Sequence, residues 1–248
     1  TTAMHIAVAL LKAGYGVATI DLDGRQLSLT RYVENRKRWA KSARIPLELP
    51  RHFHVPPAHR ETVTDTESEE FRQLTEGLGE IEDSHDFVVI DTPGSDTFLN
   101  RMAHRIADTL VTPMNDSFID FDVLARIDPV SHEIIELSQY ATAVRDARRQ
   151  RRQADNRIVD WIVVRNRMAN ISSRNEQKID SCLRNLSIQL GFRIADGISE
   201  RVVFREFFPI GLTALDDFEE HVLGSKPTLS HLAARQEIRQ LLTALRLP

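Results

Sequence analysis

The chain has 248 residues, of which 42% are hydrophobic and 27% charged, and a formal net charge of −4. That length suits one α/β domain with a sizeable core, and the mildly acidic balance does not mark the whole chain as a nucleic-acid binder. The single cysteine, Cys182, excludes an internal disulfide and fits a reducing compartment, and no uninterrupted apolar stretch is long enough to span a bilayer.

Residues 1–11 read as a helix, small side chains first and apolar ones after. Val17 to Asp23 reads as a strand of the buried type ending in two carboxylates, Asp21 and Asp23, which on a strand would point to the same side. Leu27 to Ala40 is helical. Ile45 to Pro57 holds four prolines and reads as an extended connection, which makes His52, His54 and His59 loop residues. Thr66 to Leu78 is helical and leads to Phe87–Asp91. There, three consecutive β-branched residues end on a carboxylate, followed at once by Thr92-Pro93-Gly94. An apolar run of this kind suits a strand buried on both faces of a parallel sheet.

Asn100 to Ile106 is a short helix before a strand at Thr109–Pro113. Asp120 to Leu137 and Ala141 to Gln153 have helical patterns, and Ile158 to Val164 is another buried-type strand. Ser172 to Leu190 is a helix that Gly191 stops, and Leu229 to Leu245 is the last helix. Strands spaced by helices imply parallel βαβ units with right-handed crossovers. There is no internal repeat.

Ligands of such folds bind in the crevice at the carboxyl ends of the strands. Two strands delivering Asp21, Asp23 and Asp91 to that crevice make a plausible metal and water site. A carboxylate at the position of Asp91 can hold water on Mg²⁺, as the second acidic motif of P-loop NTPases does, and Gly94 lets the backbone approach a γ-phosphate. The plainer reading has these Asp residues capping the next helix or turn, with one of the Asp21–Asp23 pair solvated. Asn166 follows a buried strand; its amide offers the donor and acceptor that match the edge of adenine, or simply ends the strand in a turn. Arg145, Arg148, Arg149, Arg151 and Arg152 form a dense cluster. Arg174 and Lys178, four apart on a helix, share a face that can contact DNA phosphates or face solvent.

The stretch from Thr1 to Asp23 resembles the ParA/MinD family of deviant Walker ATPases, where a helix, a strand and an Asp-x-Asp ending follow one another directly. Asp91-Thr92-Pro93-Gly94, Arg101–His104, Ala107 to Asp122, Asp160 to Arg167, Phe207 to Thr213 and Leu232 to Glu237 look like the branch of that family that positions the bacterial division plane. The run from Thr112 to Asp122 is far more specific than Asp-Thr-Pro-Gly alone, and the resemblance extends over essentially the whole chain.

This resemblance implies an α/β fold of P-loop NTPase type, a mostly parallel sheet flanked by helices in one domain over 1–248, with the first strand and phosphate loop upstream of Thr1. It implies that Thr1 meets the α-phosphate and Asp23 orients or activates the attacking water. Asp91 would hold Mg²⁺ through water, Gly94 would sit in the segment sensing the γ-phosphate, Asn166 would contact adenine, and Pro209 would contact the nucleotide. ATP would be sandwiched in a homodimer and hydrolysed slowly. The dimer would bind nonspecific DNA, with Arg174, Lys178 and Arg201 as candidates. It would also bind ParB and inhibit FtsZ assembly, in a cytoplasmic, nucleoid-associated and polar distribution. Two other readings stand beside it: a ParA-type partition ATPase, or a noncatalytic binding module. Membrane binding through Leu229–Leu245 is the rival partner reading, disfavoured by Glu237 and the lack of aromatic residues.

Overall fold

The computed structural model describes residues 2–115, 117–128, 131, 133–168 and 174–246, leaving aside the side chains of residues 118, 119 and 174–177. In chain order the elements are α1 (Thr2–Lys12), β1 (Val17–Asp21), α2 (Ser28–Ala43), β2 (Arg51–His54), α3 (Val63–Gly79), β3 (Phe87–Asp91), α4 (Phe98–Ile106), β4 (Thr109–Asn115) and α5 (Phe118–Phe121). They continue with β5 (Ala125–Ile127), β6 (Ile134–Leu137), α6 (Gln139–Asp155), β7 (Asp160–Asn166), α7 (Arg174–Leu190), β8 (Arg193–Ala195), α8 (Val202–Ile210), α9 (Glu220–Leu223) and α10 (Leu229–Leu245). The chain divides into two compact units, Thr1–Asn100 with Val202–Arg235, and Arg101–Arg201 with Gln236–Pro248.

The first unit carries a parallel sheet in the order β2-β1-β3. Every residue of the central β1 is buried, whereas the edge strand β3, with as many β-branched residues, is half-buried throughout and not buried on both faces as its apolar run suggested. His52 and His54 are not loop residues as the proline content suggested. They lie on β2 in register with Thr19 and Asp21 of β1. Proline is compatible with an edge strand and its flanks, so Pro50, Pro56 and Pro57 bound β2 without excluding it. Met4 and Val8 of α1 pack with Leu29, Tyr32 and Val33 of α2, and Phe208 joins that cluster.

Helix α8 meets α2 so closely that a Cβ on Gly211 would lie 2.0 Å from the Arg36 backbone nitrogen, and Gly211 has φ +65°. Only glycine meets both requirements. Arg36, fully buried, spans from α2 to this corner. It forms two 2.7 Å bonds to the Asp216 carboxylate and donates to the carbonyls of Glu48 and Gly211.

The second unit carries a parallel sheet in the order β4-β7-β8. Its core joins Met114, Trp161 and Val163 of the sheet with Val144 of α6 and Ile179, Leu183 and Leu186 of α7. The Trp161 indole N–H donates to Thr112 Oγ1 at 2.9 Å, so the largest core side chain keeps its polar atom satisfied. Gly191, with φ +66°, ends α7 as expected from the sequence.

One predicted helix is absent. Instead of a helix over 120–137, one turn (α5) is followed by an antiparallel pair, β5 and β6, with Ala125 opposite Leu137 and Arg126 opposite Glu136. Ser117 Oγ accepts from the Asp120 N–H and donates to its carboxylate, so α5 starts with a local cap. Pro129 disfavours helix at Asp128 and ends the 3.6-residue pattern. Helix α10 buries Ala234, Ile238, Leu241 and Leu245 while leaving Leu229 and Leu232 exposed. Among the described residues no helix is long and apolar enough to cross a membrane.

Candidate active site

Parallel pairing of β1 with β3 puts Asp21 and Asp91 opposite one another as the last residues of their strands. The two carboxylates have different fates. Asp21 is fully buried and accepts three hydrogen bonds: from the Asp23 N–H at 3.0 Å, the Thr30 N–H at 2.9 Å and Thr30 Oγ1 at 2.8 Å. Helix α2 gets no side-chain cap from Leu27, which sits in the left-handed region at φ 50°. Asp21, nine residues before Thr30, supplies the missing acceptor and places negative charge at the positive end of the helix. Asp21 is thus a structural carboxylate.

Asp23 lies past the end of β1, so strand alternation with Asp21 does not extend to it. It nucleates a tight turn. Its Oδ1 accepts from the N–H groups of Arg25 and Gln26 at 3.2 and 3.1 Å, and its carbonyl accepts from the Leu27 N–H at 2.9 Å. The left-handed Leu27 closes this turn. A leucine there costs on the order of 1–3 kcal/mol, a strain that clusters at functional sites. Asp23 remains half-buried, with Oδ2 outside these bonds.

Asp91 is half-buried and makes no side-chain hydrogen bond among the described residues. Burial raises its pKa above the usual carboxylate value, and the nearby Asp21 and Asp23 carboxylates add to the rise. A hard cation relieves such a cluster, and a carboxylate oxygen suits Mg²⁺, which retains several waters when protein ligands are few. Among the described residues no group of three His, Cys, Asp or Glu side chains could hold a metal, so an ion held by Asp91 would depend on water or ligand oxygens for the rest of its shell.

The loop after Asp91 is fastened by Asn100, a residue that the sequence reading passed over. Its Nδ2 donates to the carbonyls of Pro93 and Ser95 at 3.2 and 3.0 Å. Gly94 in this loop is exposed, lacks a positive φ, and would have open space around an added Cβ. Nothing in the chain itself therefore demands glycine there. Pro209 is exposed in the last turn of α8. Thr1 lies outside the described residues.

In the second unit Asn166 ends β7, half-buried, in register with Asn115 of β4. Arg174 begins α7, but its side chain lies outside the described set; Lys178, one turn on, is exposed. Arg201 is held by Glu237 through a 2.7 Å ion pair, and the same carboxylate accepts from Ser199 Oγ at 2.7 Å. Its charge is therefore partly neutralised. The α6 arginine cluster divides similarly. Arg148 donates to the carbonyls of Val159, Leu190 and Gly191, and Arg151 to those of Arg105 and Ile106 and to Asp108 and Asp155. Both serve packing, while Arg145, Arg149 and Arg152 are exposed.

Residues 1–248, the whole chain, match the family model described as ATPase MipZ. No curated protein matches the sequence. Among solved structures, a Borrelia burgdorferi B31 protein assigned to plasmid partition and bound to AMPPNP is 16% identical, with a TM-score of 0.54, over 98% of this chain and 92% of its own. At that identity the likeness concerns the fold alone. A ParA family ATPase from Chlorobium tepidum TLS is 15% identical over 97% of this chain and 90% of its own, with a TM-score of 0.49, and adds nothing to the argument. Parallel strands ending on paired carboxylates, the α/β fold shared with the partition protein and the family match over every residue converge: the chain belongs to the MipZ family of ATPases, of the ParA/MinD type.

Proposed function

We propose that the chain is a slow ATP-hydrolysing switch that dimerises around Mg²⁺-ATP and, in that state, binds DNA and inhibits FtsZ assembly, with ParB as a further partner. The observation that carries this reading is the contrast between Asp21 and Asp91. One strand-end carboxylate is saturated by the protein, and its neighbour is half-buried, raised in pKa and, among the described residues, without a side-chain hydrogen bond. Mg²⁺, when bound with ATP, supplies charge neutralisation at the phosphates, which is most of what phosphoryl transfer needs.

The chain's own residues would do the rest. Asp91 would hold Mg²⁺ through water. Asp23, held by its turn, orients or activates the attacking water with the carboxylate oxygen that the turn does not occupy. Gly94 admits the γ-phosphate end of the ligand without a side chain in the way. Thr1 faces the α-phosphate, Asn166 reads the adenine edge, and Pro209 contacts the nucleotide. A ligand that binds the dimer better than the monomer shifts the population toward dimer, and hydrolysis removes that bias.

DNA contact falls to Lys178 and Arg174 on α7, with Arg201 as the third candidate; doubling the surface in the dimer raises avidity without new contacts. Calorimetric titration of ATP with and without Mg²⁺, on the full-length protein and on Asp91→Asn, tests the nucleotide chemistry. Binding that is tightened by Mg²⁺ only in the unmodified protein supports it, and equal binding in both excludes Asp91 from the ion. Sedimentation of FtsZ polymers with ATP-bound protein separates this reading from a partition ATPase, which leaves polymer mass unchanged.

A further inference from the structure

We propose that His52 is a positioning residue for the turn that carries Asp23, acting through Thr30 and Asp21; this rests on Asp23 being the residue that handles water.

The side chains form a continuous chain in the first unit. Thr19 Oγ1 lies 2.8 Å from His52 Nδ1, and His52 Nε2 lies 3.0 Å from Thr30 Oγ1. Thr30 Oγ1 donates to Asp21 Oδ2 at 2.8 Å, and Asp21 Oδ1 accepts from the Asp23 N–H at 3.0 Å. With an ionised Asp21 and a neutral imidazole, these contacts leave one arrangement of protons. Asp21 takes three donors, so it acts only as an acceptor. Thr30 has one hydroxyl hydrogen, and Asp21 uses it. Thr30 Oγ1 must therefore accept from His52, which puts the imidazole proton on Nε2 and leaves Nδ1 to accept from the buried Thr19 hydroxyl. The three side-chain donors point the same way, from Thr19 through His52 and Thr30 to Asp21, where the Asp23 N–H arrives from the other side.

The surroundings favour the neutral ring this scheme requires. Burial holds the His52 pKa below its ordinary value, and Lys37 of α2 and His54 of β2 also oppose the extra proton. Asp21 and Glu34 pull the other way. The consequence is geometric. Among the described residues Asp21 is the only side-chain acceptor for the first turn of α2, since Leu27 gives none, and it also anchors the first amide of the Asp23 turn. A Thr30 hydroxyl without its donor from β2 can rotate away, and the carboxylate that orients Asp23 then loses one of its three bonds. A polar chain of this kind is worth more intact than its separate bonds.

The first test needs no variant. Nitrogen chemical shifts of the His52 ring at neutral pH should show the Nε2–H tautomer alone; an Nδ1–H ring, or two tautomers in exchange, would overturn the scheme. The second uses Thr30→Val and His52→Phe beside Thr30→Ser and His52→Gln, which keep the polar atoms. Hydrogen exchange at the Asp23 amide should accelerate about tenfold in the first pair. ATP turnover should fall roughly tenfold with KM unchanged, as misplacement of a catalytic group does. The second pair should restore both. Variants that lower Tm alone, with exchange and turnover at wild-type values, would reduce His52 to a packing residue. If the unmodified protein hydrolyses no ATP, the catalytic reading fails by itself, and the tautomer and exchange data still decide whether His52 holds the turn.

Discussion

Asp21 and Asp91 face each other at the ends of two parallel strands; the first is bonded to backbone amides and the Thr30 hydroxyl, while the second makes no side-chain hydrogen bond among the described residues. The raised pKa of Asp91 means that ionising it costs stability in the folded state. For a group raised above its unfolded value, the stabilising contribution is present below the unfolded pKa and is lost as pH rises through the folded one. Asp91→Asn should therefore raise the Tm of the nucleotide-free protein at pH 7, while removing the Mg²⁺ dependence of ATP affinity. Calorimetric melting at pH 5 and 7 checks it, and the gain should be larger at pH 7.

The neighbouring aspartates should separate stability from turnover. Asp21→Ala leaves the Thr30 and Asp23 amides without their acceptor and should cost about 2–3 kcal/mol. Asp23→Ala loses two exposed turn bonds that share one oxygen, and should cost no more than about 1 kcal/mol while abolishing most hydrolysis. Urea denaturation with a turnover assay on both variants distinguishes them.

The buried Arg36–Asp216 pair joins α2 to a segment 180 residues away. Burial alone would raise the Asp216 pKa, but the Arg36 bonds and charge and the Thr213 donors hold it below the usual value. Its contribution is therefore intact above about pH 4 and lost as pH falls from there through the folded-state pKa. Arg36→Ala strands a buried carboxylate and should cost about 3–5 kcal/mol. Asp216→Asn should flatten the loss of Tm below pH 4 seen in the unmodified protein.

The basic residues should behave unequally toward DNA. Lys178 is exposed, and Lys178→Glu should weaken DNA retention and lower the salt slope by about 1 if the residue contacts one phosphate. Arg201→Glu sets two carboxylates together at Glu237, so it should lower Tm as well as DNA affinity. Retention on DNA across a salt series, with melting curves alongside, reads both effects.

Much of this was legible in the sequence because it is local. The apolar residues at 17–21 and 87–91 mark two parallel strands that end on carboxylates, although the second, an edge strand, is only half-buried. Gly191 stops α7 through its own positive φ. Other features depend on contacts distant in sequence. Strand β2 is four residues long between prolines and becomes a strand by pairing with β1, which is also what makes His52 part of a network. Asp21 caps α2 because β1 ends beside the start of that helix; the sequence shows only an unhelpful Leu27 at the cap position. The β5–β6 pair carries a helical pattern that Pro129 and cross-strand pairing override. The exposure of Lys178 against the pairing of Arg201 depends on where α10 brings Glu237.

The most direct test of the switch is the solution mass of the full-length protein with ADP and with ATP, beside Asp23→Ala. A monomer with ADP and a dimer with ATP, the dimer outlasting the unmodified one in the Asp23 variant, is the predicted result. A monomer in every nucleotide state would contradict the switch.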